Sequence, residues 1–311
     1  PSPLTTPPWS KLDQPSQALA ASQKLLAEVE AQPLGKRSML VHQLTHIAAL
    51  ESAGRYAEAL ALLEKIRPYA EGTVHATKIE DRRLAIFIAQ RDFVSGIDLL
   101  KDRLTKLQAA HGDRSSELLP VLRQLAQLES QNGDHELSLS YGELALEITQ
   151  AQVPVDAVPN QAQQIAICES LLDLAALTSA VHSHPKAIVH AEQALRMAYE
   201  MDHNSLIMRS LRDLSDIHEG ADHLEMAYEV KHQAYNRMKH TGASPRDSDQ
   251  ALREMCSLRI KQNRPDEALR LGSDLWRDLK SRRESSNDVA HVGQIAKSLL
   301  DSYAAVKASN P

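Results

Sequence analysis

An all-α array of stacked helical hairpins is the architecture this sequence predicts, on three observations. Alanine and leucine dominate a chain that is 42 % apolar but only 4 % aromatic, and both residues favour helix. Apolar residues recur at helical spacing, as in "SELLPVLRQLAQLESQ", apolar at 118, 119, 122, 125, 126 and 128. A small residue returns at 59, 96, 138, 187, 227 and 268, in steps of 37, 42, 49, 40 and 41. One hairpin of that size cannot bury its apolar faces alone, so several must stack.

Taken in order, the chain opens on "PSPLTTPPWS", and residues 1–14 are expected to be extended and proline-rich. Residues 15–31 read as one helix preceding the first repeat. In "SAGRYAEALALLEKI" Gly54 fits a helix C-terminal cap, where φ is positive, with Tyr56 and Ala59 beginning the next helix. "AQRDFVSGIDLLKDRL" repeats the pattern with Phe93 and Gly96, then Leu104. "QNGDHELSLSYGELALEI" does so with Gly133, His135 and Ser138, then Ala145 and Leu146. These three hairpins complete a first half over 15–150.

Residues 151–161, "AQVPVDAVPNQ", interrupt the array and read as a joint, because two prolines stop any helix there. Three more hairpins fill 162–283. "VHSHPKAIVHAEQAL" supplies His184, Ala187 and Ala194, "EGADHLEMAYEVKHQAY" supplies Leu224, Ala227 and Ala234, and "KQNRPDEALRLGSDLW" supplies Pro265, Ala268 and Leu275. Within 284–311, "DVAHVGQIAKSLLDSYAAVK" reads as a solvating cap helix. In every hairpin the small residue early in the second helix lets its backbone approach the first.

Composition then excludes whole classes of function. With 41 acidic and 35 basic residues the chain carries a formal charge of −6, so it has no global attraction to nucleic acid or anionic lipid. No apolar run reaches the roughly 18 residues of a membrane span. The chain opens on Pro1 with no recognisable signal peptide, which fits a processed or trimmed start and leaves the compartment open, cytoplasmic or exported. The nearest two of its 11 glycines, Gly133 and Gly142, are nine apart. No G-x-G loop exists, which removes dinucleotide and P-loop phosphate sites, and no cofactor is implied.

The chain resembles the tetratricopeptide repeat (TPR) family. Leu125-Ala126 and Leu174-Ala175 match the first-helix pair, and Gly54-Arg55-Tyr56 and Gly133-Asp134-His135 match the turn. Ala59, Ala187, Ala227 and Ala268 match the second-helix alanine, and Ala145, Ala194 and Ala234 the last one. A period near 40 is similar to the longer units of kinesin light chains and bacterial signalling proteins, over roughly 38–283. The turn glycine is missing from four of the six units, and Gly96 and Ser138 replace the usual alanine. The resemblance implies a right-handed superhelical solenoid of about six repeats with a C-terminal cap helix.

Candidate chemistry is sparse. His218-Glu219-Gly220-Ala221-Asp222-His223 is one residue too long for a zinc-binding H-E-x-x-H. Two ligands at i, i+5 are turned about 500°, roughly 140° off one helix face, so His218 reads as a surface histidine and Gly220 as part of the turn. His182 and His184 flank another predicted turn, with Pro185 opening the next helix. No nucleophile elbow is present, and Cys168 and Cys256 read as buried free thiols, Cys256 standing where the first helix wants a small residue. "LKSRRES" (279–285) places Lys280, Arg282 and Arg283 beside one aromatic, Trp276, which suits a solvated helix end better than a nucleic-acid site. No catalytic residue and no metal site is assigned.

In the resembling family, ligands lie in a concave groove lined by first helices. Carried over by repeat position, the groove-facing fifth residues are Leu44, Asp81, Arg123, Leu172, Arg212 and Arg253. Neighbouring positions add Lys78, Arg82, Gln127 and Arg209. Lys78, Arg82, Arg123, Gln127, Arg209, Arg212 and Arg253 are therefore the candidate ligand residues, a basic lining suited to an acidic segment. The alternative is that these arginines are salt-bridged across adjacent repeats, Asp213, Asp216 and Glu219 standing ready to pair with Arg209 and Arg212. The lysine–asparagine pattern of the chaperone-tail clamp is absent.

These readings converge on a non-enzymatic scaffold that binds a protein or peptide partner, with no nucleic acid, no membrane insertion and an open oligomeric state. The rival is a sensory or regulatory input module of a bacterial signalling protein, with a diguanylate cyclase, kinase or transcription regulator as output. "SLRDLSDIHEGADHLEMAYEVKHQAY" resembles such modules. An enzyme would need titratable groups converging at the 150–162 joint.

Overall fold

A computed structural model of the chain describes residues 15–30, 36–73, 75–154, 157–242 and 244–281, with scattered positions between 293 and 308. Among the described residues there are helices and turns and no strand. The expected extended segment 1–14 lies outside them, as does most of the cap helix over 284–311, whose described positions are helical. The chain forms two compact units, Pro1–Lys106 and Leu107–Pro311.

The first unit holds α1 (Pro15–Glu30), α2 (Lys36–Ser52), α3 (Tyr56–Ala70), α4 (His75–Gln90) and the start of α5 (Phe93–His111). Its core is built from the apolar stripes of α1 to α4, with Leu40, Ile47, Leu63, Ile66, Ile79 and Ile86 all essentially inaccessible. In the second unit a 3₁₀ turn (Ser116–Leu118) leads into α6 (Leu119–Asn132), followed by α7 (His135–Ala151), α8 (Gln161–Ala180) and α9 (His184–Glu200). Then come α10 (Asn204–Gly220), α11 (Leu224–Thr241), α12 (Pro245–Lys261) and α13 (Pro265–Ser281). Each helix of this unit packs on the next, and α6 on α8 and α8 on α10 as well, so that first helices touch across repeats.

The six expected hairpins are present, and their turns share one backbone conformation. Five residues before each small position the chain adopts positive φ: 72° at Gly54, 58° at Arg91, 92° at Gly133, 58° at His182, 59° at Asp222 and 57° at Asn263. In each turn the following N–H reaches back five residues to a helix carbonyl, as Asp134 does to Glu129 and Arg264 to Arg259 at 2.9 and 2.8 Å. This is a Schellman cap, which satisfies carbonyls the helix end leaves unpaired. The capping bonds therefore impose the turn even where the sequence lacks glycine. Side chains dislike that region by about 1 kcal/mol or more. Asn263→Gly and His182→Gly are accordingly expected to raise stability by roughly 0.5–1 kcal/mol each. A urea titration in which both changes lower the midpoint would refute this account of the turn.

The small positions sit where hairpin helices cross. Ala59, Ala187, Ala227 and Ala268 have no exposed surface, and Gly96 and Ser138 are buried with them. The crossing is close enough for polar groups to bond across it. Ser138 donates its hydroxyl to the Ala126 carbonyl at 2.8 Å, and Ser215 donates to that of Ala227 at 3.1 Å. Cys256 Sγ donates to the Ala268 carbonyl at 3.5 Å, each pair spanning the same 12 positions. Between α7 and α8 the helices stop at Ala151 and resume at Gln161. There Asn160 and Gln163 form a reciprocal capping box, and Gln163 Nε2 ties back to the Gln152 carbonyl at 2.9 Å.

Candidate functional site

Two clefts open between first helices of the second unit. One, of about 400 Å³, lies between α6 and α8 over α7, with Arg123 and Gln127 on one wall, Ser170 and Asp173 on the other, and Gly142 and Ala145 beneath. The other, of about 500 Å³, lies between α10 and α12 over α11, with Arg209, Arg212, Glu254, Lys231 and Ala234 among its lining. Counted from the small residues of their hairpins, Arg123 and Arg212 hold the same register, as do Asp173 and Glu254, Gly142 and Lys231, and Ala145 and Ala234. The clefts are thus one site built twice.

The first floor exists because Gly142 and Ala145 of α7 are small, whereas the second combines Ala234 with the larger Lys231 and Met238 of α11. A Cβ on Gly142 would stand 2.7 Å from Leu177 Cδ1, so the glycine lets α8 settle close while the space above stays open. The walls are charged. Arg123 Nη2 donates to Ser170 Oγ at 3.0 Å, and its Nε lies 3.4 Å from Asp173 Oδ2. Arg209 Nη2 donates to Asp173 Oδ1 at 2.7 Å and its Nε lies 3.5 Å from Asp213. Burial pulls the Arg209 guanidinium down, but the Asp173 bond and the neighbouring carboxylates more than offset it, so it is held above its ordinary range. Arg123 and Arg209 share one carboxylate, Asp173, which ties α6, α8 and α10 together.

No protein-family model matches this chain, and no curated protein matches it. Solved structures do. A kinesin-light-chain-type array of nearly identical TPR-like repeats from Podosopora anserina is 16 % identical, covering 68 % of this chain and 100 % of its own, at a TM-score of 0.52. A signal-transduction ATPase with a tetratricopeptide repeat sensor, from Pyrococcus horikoshii, is 16 % identical over 91 % of this chain and 44 % of its own, at 0.55. A Rap protein complexed with competence and sporulation factor is 15 % identical over 95 % of this chain and 83 % of its own, at 0.51. The fold is the tetratricopeptide repeat.

On this TPR fold the seven candidate residues fall in both units. Lys78 is exposed on α4, and Arg82 bonds Glu51 at 2.6 Å, both in the first unit. In the second, Arg123 and the exposed Gln127 line the first cleft, and Arg209 and Arg212 the other. Arg212 reaches Asp213 at 3.3 Å and keeps 65 % of its side chain exposed. Arg253, on α12, donates to Gln250 and, at 2.9 Å, to Gln294. Of the acidic neighbours, Asp216 and Glu219 pair elsewhere, with Lys231 and Lys261. The salt-bridge alternative describes some of these residues. Arg82, Arg123 and Arg209 are bridged across helices, whereas Arg212 reaches its own chain neighbour.

Two readings of the histidine segment are corrected. Gly220 is the last residue of α10 rather than part of the turn, which runs through Ala221 and Asp222. His218 is 3 % exposed, not a surface histidine. The helix continues far enough to carry it onto the buried face beside Leu214, where burial first and then His223, with ring centroids 5.8 Å apart, hold its pKa below the ordinary range. Among the described residues no group of three or more His, Cys, Asp or Glu is placed to hold a metal ion, and no helix is long and apolar enough to cross a membrane. Both cysteines are buried thiols outside any disulfide, and burial pushes the Cys168 thiol up to about 11.

One residue escaped a search confined to first helices. Lys231 rises from the second helix α11 with its side chain 8 % exposed, its Nζ donating to Glu254 at 2.7 Å and lying 3.6 Å from Asp216. Burial raises the Asp216 carboxyl against the opposing pull of that ammonium. The signal was in the register. Four positions after the small residue the other hairpins carry Leu63, Leu100, Gly142, Ala191 and Gly272, and lysine is the exception.

Proposed function

We propose that this TPR array is a non-enzymatic scaffold whose second unit holds an acidic segment of a protein or peptide partner between its first helices. The observation that carries the reading is the repeated cleft, with an alanine, Ala145 or Ala234, at one register of its floor and Arg123 or Arg212 at one register on its wall. Arginine offers a planar pair of donors that fits a carboxylate, and the alanine beneath it leaves room for the stem of the side chain that carries it. A structurally similar Rap protein bound to competence and sporulation factor lends support from outside the chain.

Selection from a displayed peptide library tests this, using the wild type and an Arg123→Glu/Arg212→Glu/Arg253→Glu variant whose helicity is unchanged. Enriched peptides are expected to be acidic and to lose at least about tenfold in affinity for the variant, the effect of removing charge-assisted pairs. Peptides without acidic bias, or equal binding by both proteins, would turn the search away from these clefts.

A second reading, a regulatory input module, is favoured by the likeness to the repeat sensor of the signal-transduction ATPase. The two readings differ in the consequence of binding. In the second, a partner captured by the clefts alters the activity of an attached or neighbouring output protein.

A further inference from the structure

The two clefts share a register but not a charge arrangement, and the difference lies in one residue. In the first, the wall arginine and wall carboxylate face each other, and Arg123 reaches Asp173 at 3.4 Å with Ser170 also in its grasp. In the second, the matching carboxylate, Glu254, is taken from below by Lys231 at 2.7 Å. Gln250 Nε2 occupies its other oxygen at 2.5 Å. Ala251, at the register of Ser170, offers Arg212 nothing. Arg212 is left at the cleft mouth, 65 % exposed against 35 % for Arg123, and among the described residues it is bonded to Asp213 alone, at 3.3 Å.

Lysine at this buried position is chemically expensive. A desolvated ammonium is recovered only by its carboxylates, and apolar residues do the packing task as well or better. Five hairpins use leucine, alanine or glycine there, so stacking does not require a cation.

We propose that the α10–α12 cleft docks an acidic side chain of the partner onto Arg212, and that Lys231 is the positioning residue that keeps Arg212 available by neutralising Glu254. This rests on the scaffold reading above and names the anchor within it. Without Lys231, Glu254 would draw Arg212 across the cleft, as Asp173 draws Arg123, and the cleft would close on itself. The incoming carboxylate meets Arg212 at the mouth, with Lys231 and Arg209 adding field from beneath and beside it. Glu254 is the internal competitor for Arg212.

The probe is a fluorescent, N-acetylated and C-amidated octaglutamate, with octaglutamine as the uncharged control, measured by anisotropy on the full chain at low salt, where exposed pairs are least screened. Arg212→Gln and Lys231→Met are each expected to weaken octaglutamate by about tenfold, and Glu254→Gln to tighten it by about threefold or more. Arg196→Gln, an equal charge change outside the cleft, is expected to leave affinity unchanged. Circular dichroism checks each variant, and Arg212→Gln with Glu254→Gln carries the test should Lys231→Met fail to fold. The inference is overturned if Arg212→Gln binds like Arg196→Gln, if folded Lys231→Met binds like the wild type, or if Glu254→Gln weakens binding. Loss with Arg123→Gln alone would remove this anchor and leave the scaffold reading standing. Absence of any octaglutamate binding would remove both.

Discussion

Arg259→Ala is expected to destabilise the second unit by about 2–3 kcal/mol, the upper part of the range for a single substitution, or roughly 5–10 °C in Tm for a domain of this size. The guanidinium is only 8 % exposed and joins three helices. From α12 it reaches Glu225 of α11 at 2.9 Å and Glu267 of α13 at 3.0 Å, and its Cζ lies 3.4 Å from the centre of the Tyr228 ring. Removing it leaves two carboxylates to the half-exposed Arg264, which lies 3.3 Å from Glu225 and 3.9 Å from Glu267. Lysine would keep the charge but lose the flat stack and the forked donors, so Arg259→Lys should fall between wild type and alanine. Thermal and urea unfolding followed by circular dichroism measure the effect. A loss below about 1 kcal/mol for alanine, the value of an ordinary surface pair, would show that the three-helix junction does not depend on this residue.

Ala187→Leu is expected to cost about 1–3 kcal/mol through overpacking, while Ala187→Ser should cost less than about 1 kcal/mol through gain of a bond at the same site. Ala187 has no exposed surface and lies in the first turn and a half of α9, at the crossing with α8. A leucine there must push the helices apart, and α8, α9 and α10 share one apolar core through Leu171, Ala191 and Leu211. Serine is already used at this register, since Ser138 gives its hydroxyl to the Ala126 carbonyl at 2.8 Å. The carbonyl of Ala175, 12 residues before Ala187, is the matching acceptor. Comparable unfolding midpoints for the leucine and serine variants would mean that the crossing has slack, and that the small residues recur for a reason other than close approach.

The hairpins are legible in the sequence because they rest on local rules. Helical periodicity, small residues at a fixed offset from the turn and the prolines of 151–161 act within one or two helices, and the structure places α6 to α13 accordingly. The turns are legible only in part. Glycine marks two of the six, and the other four take the same positive φ with Arg91, His182, Asp222 and Asn263 because backbone capping bonds outweigh the modest penalty of a side chain there. The correction at His218 has the same origin. With no glycine at the left-handed position, the sequence pattern ends α10 too early and puts a residue of its buried face in the turn.

The candidate site divides along the same line. That arginines recur on first helices is written in the chain, since register comes from counting residues. Which of them is bridged and which is available was decided by neighbours distant in sequence: Asp173 lies 50 positions from Arg123 and 36 from Arg209, and Lys231 lies 23 from Glu254. By itself the sequence determined the element that each residue belongs to and the face that it occupies, because backbone hydrogen bonding and apolar periodicity are short-ranged. Only the tertiary structure decided the charge of each cleft, because electrostatic pairing depends on distance across helices and on how far each ion is withdrawn from water.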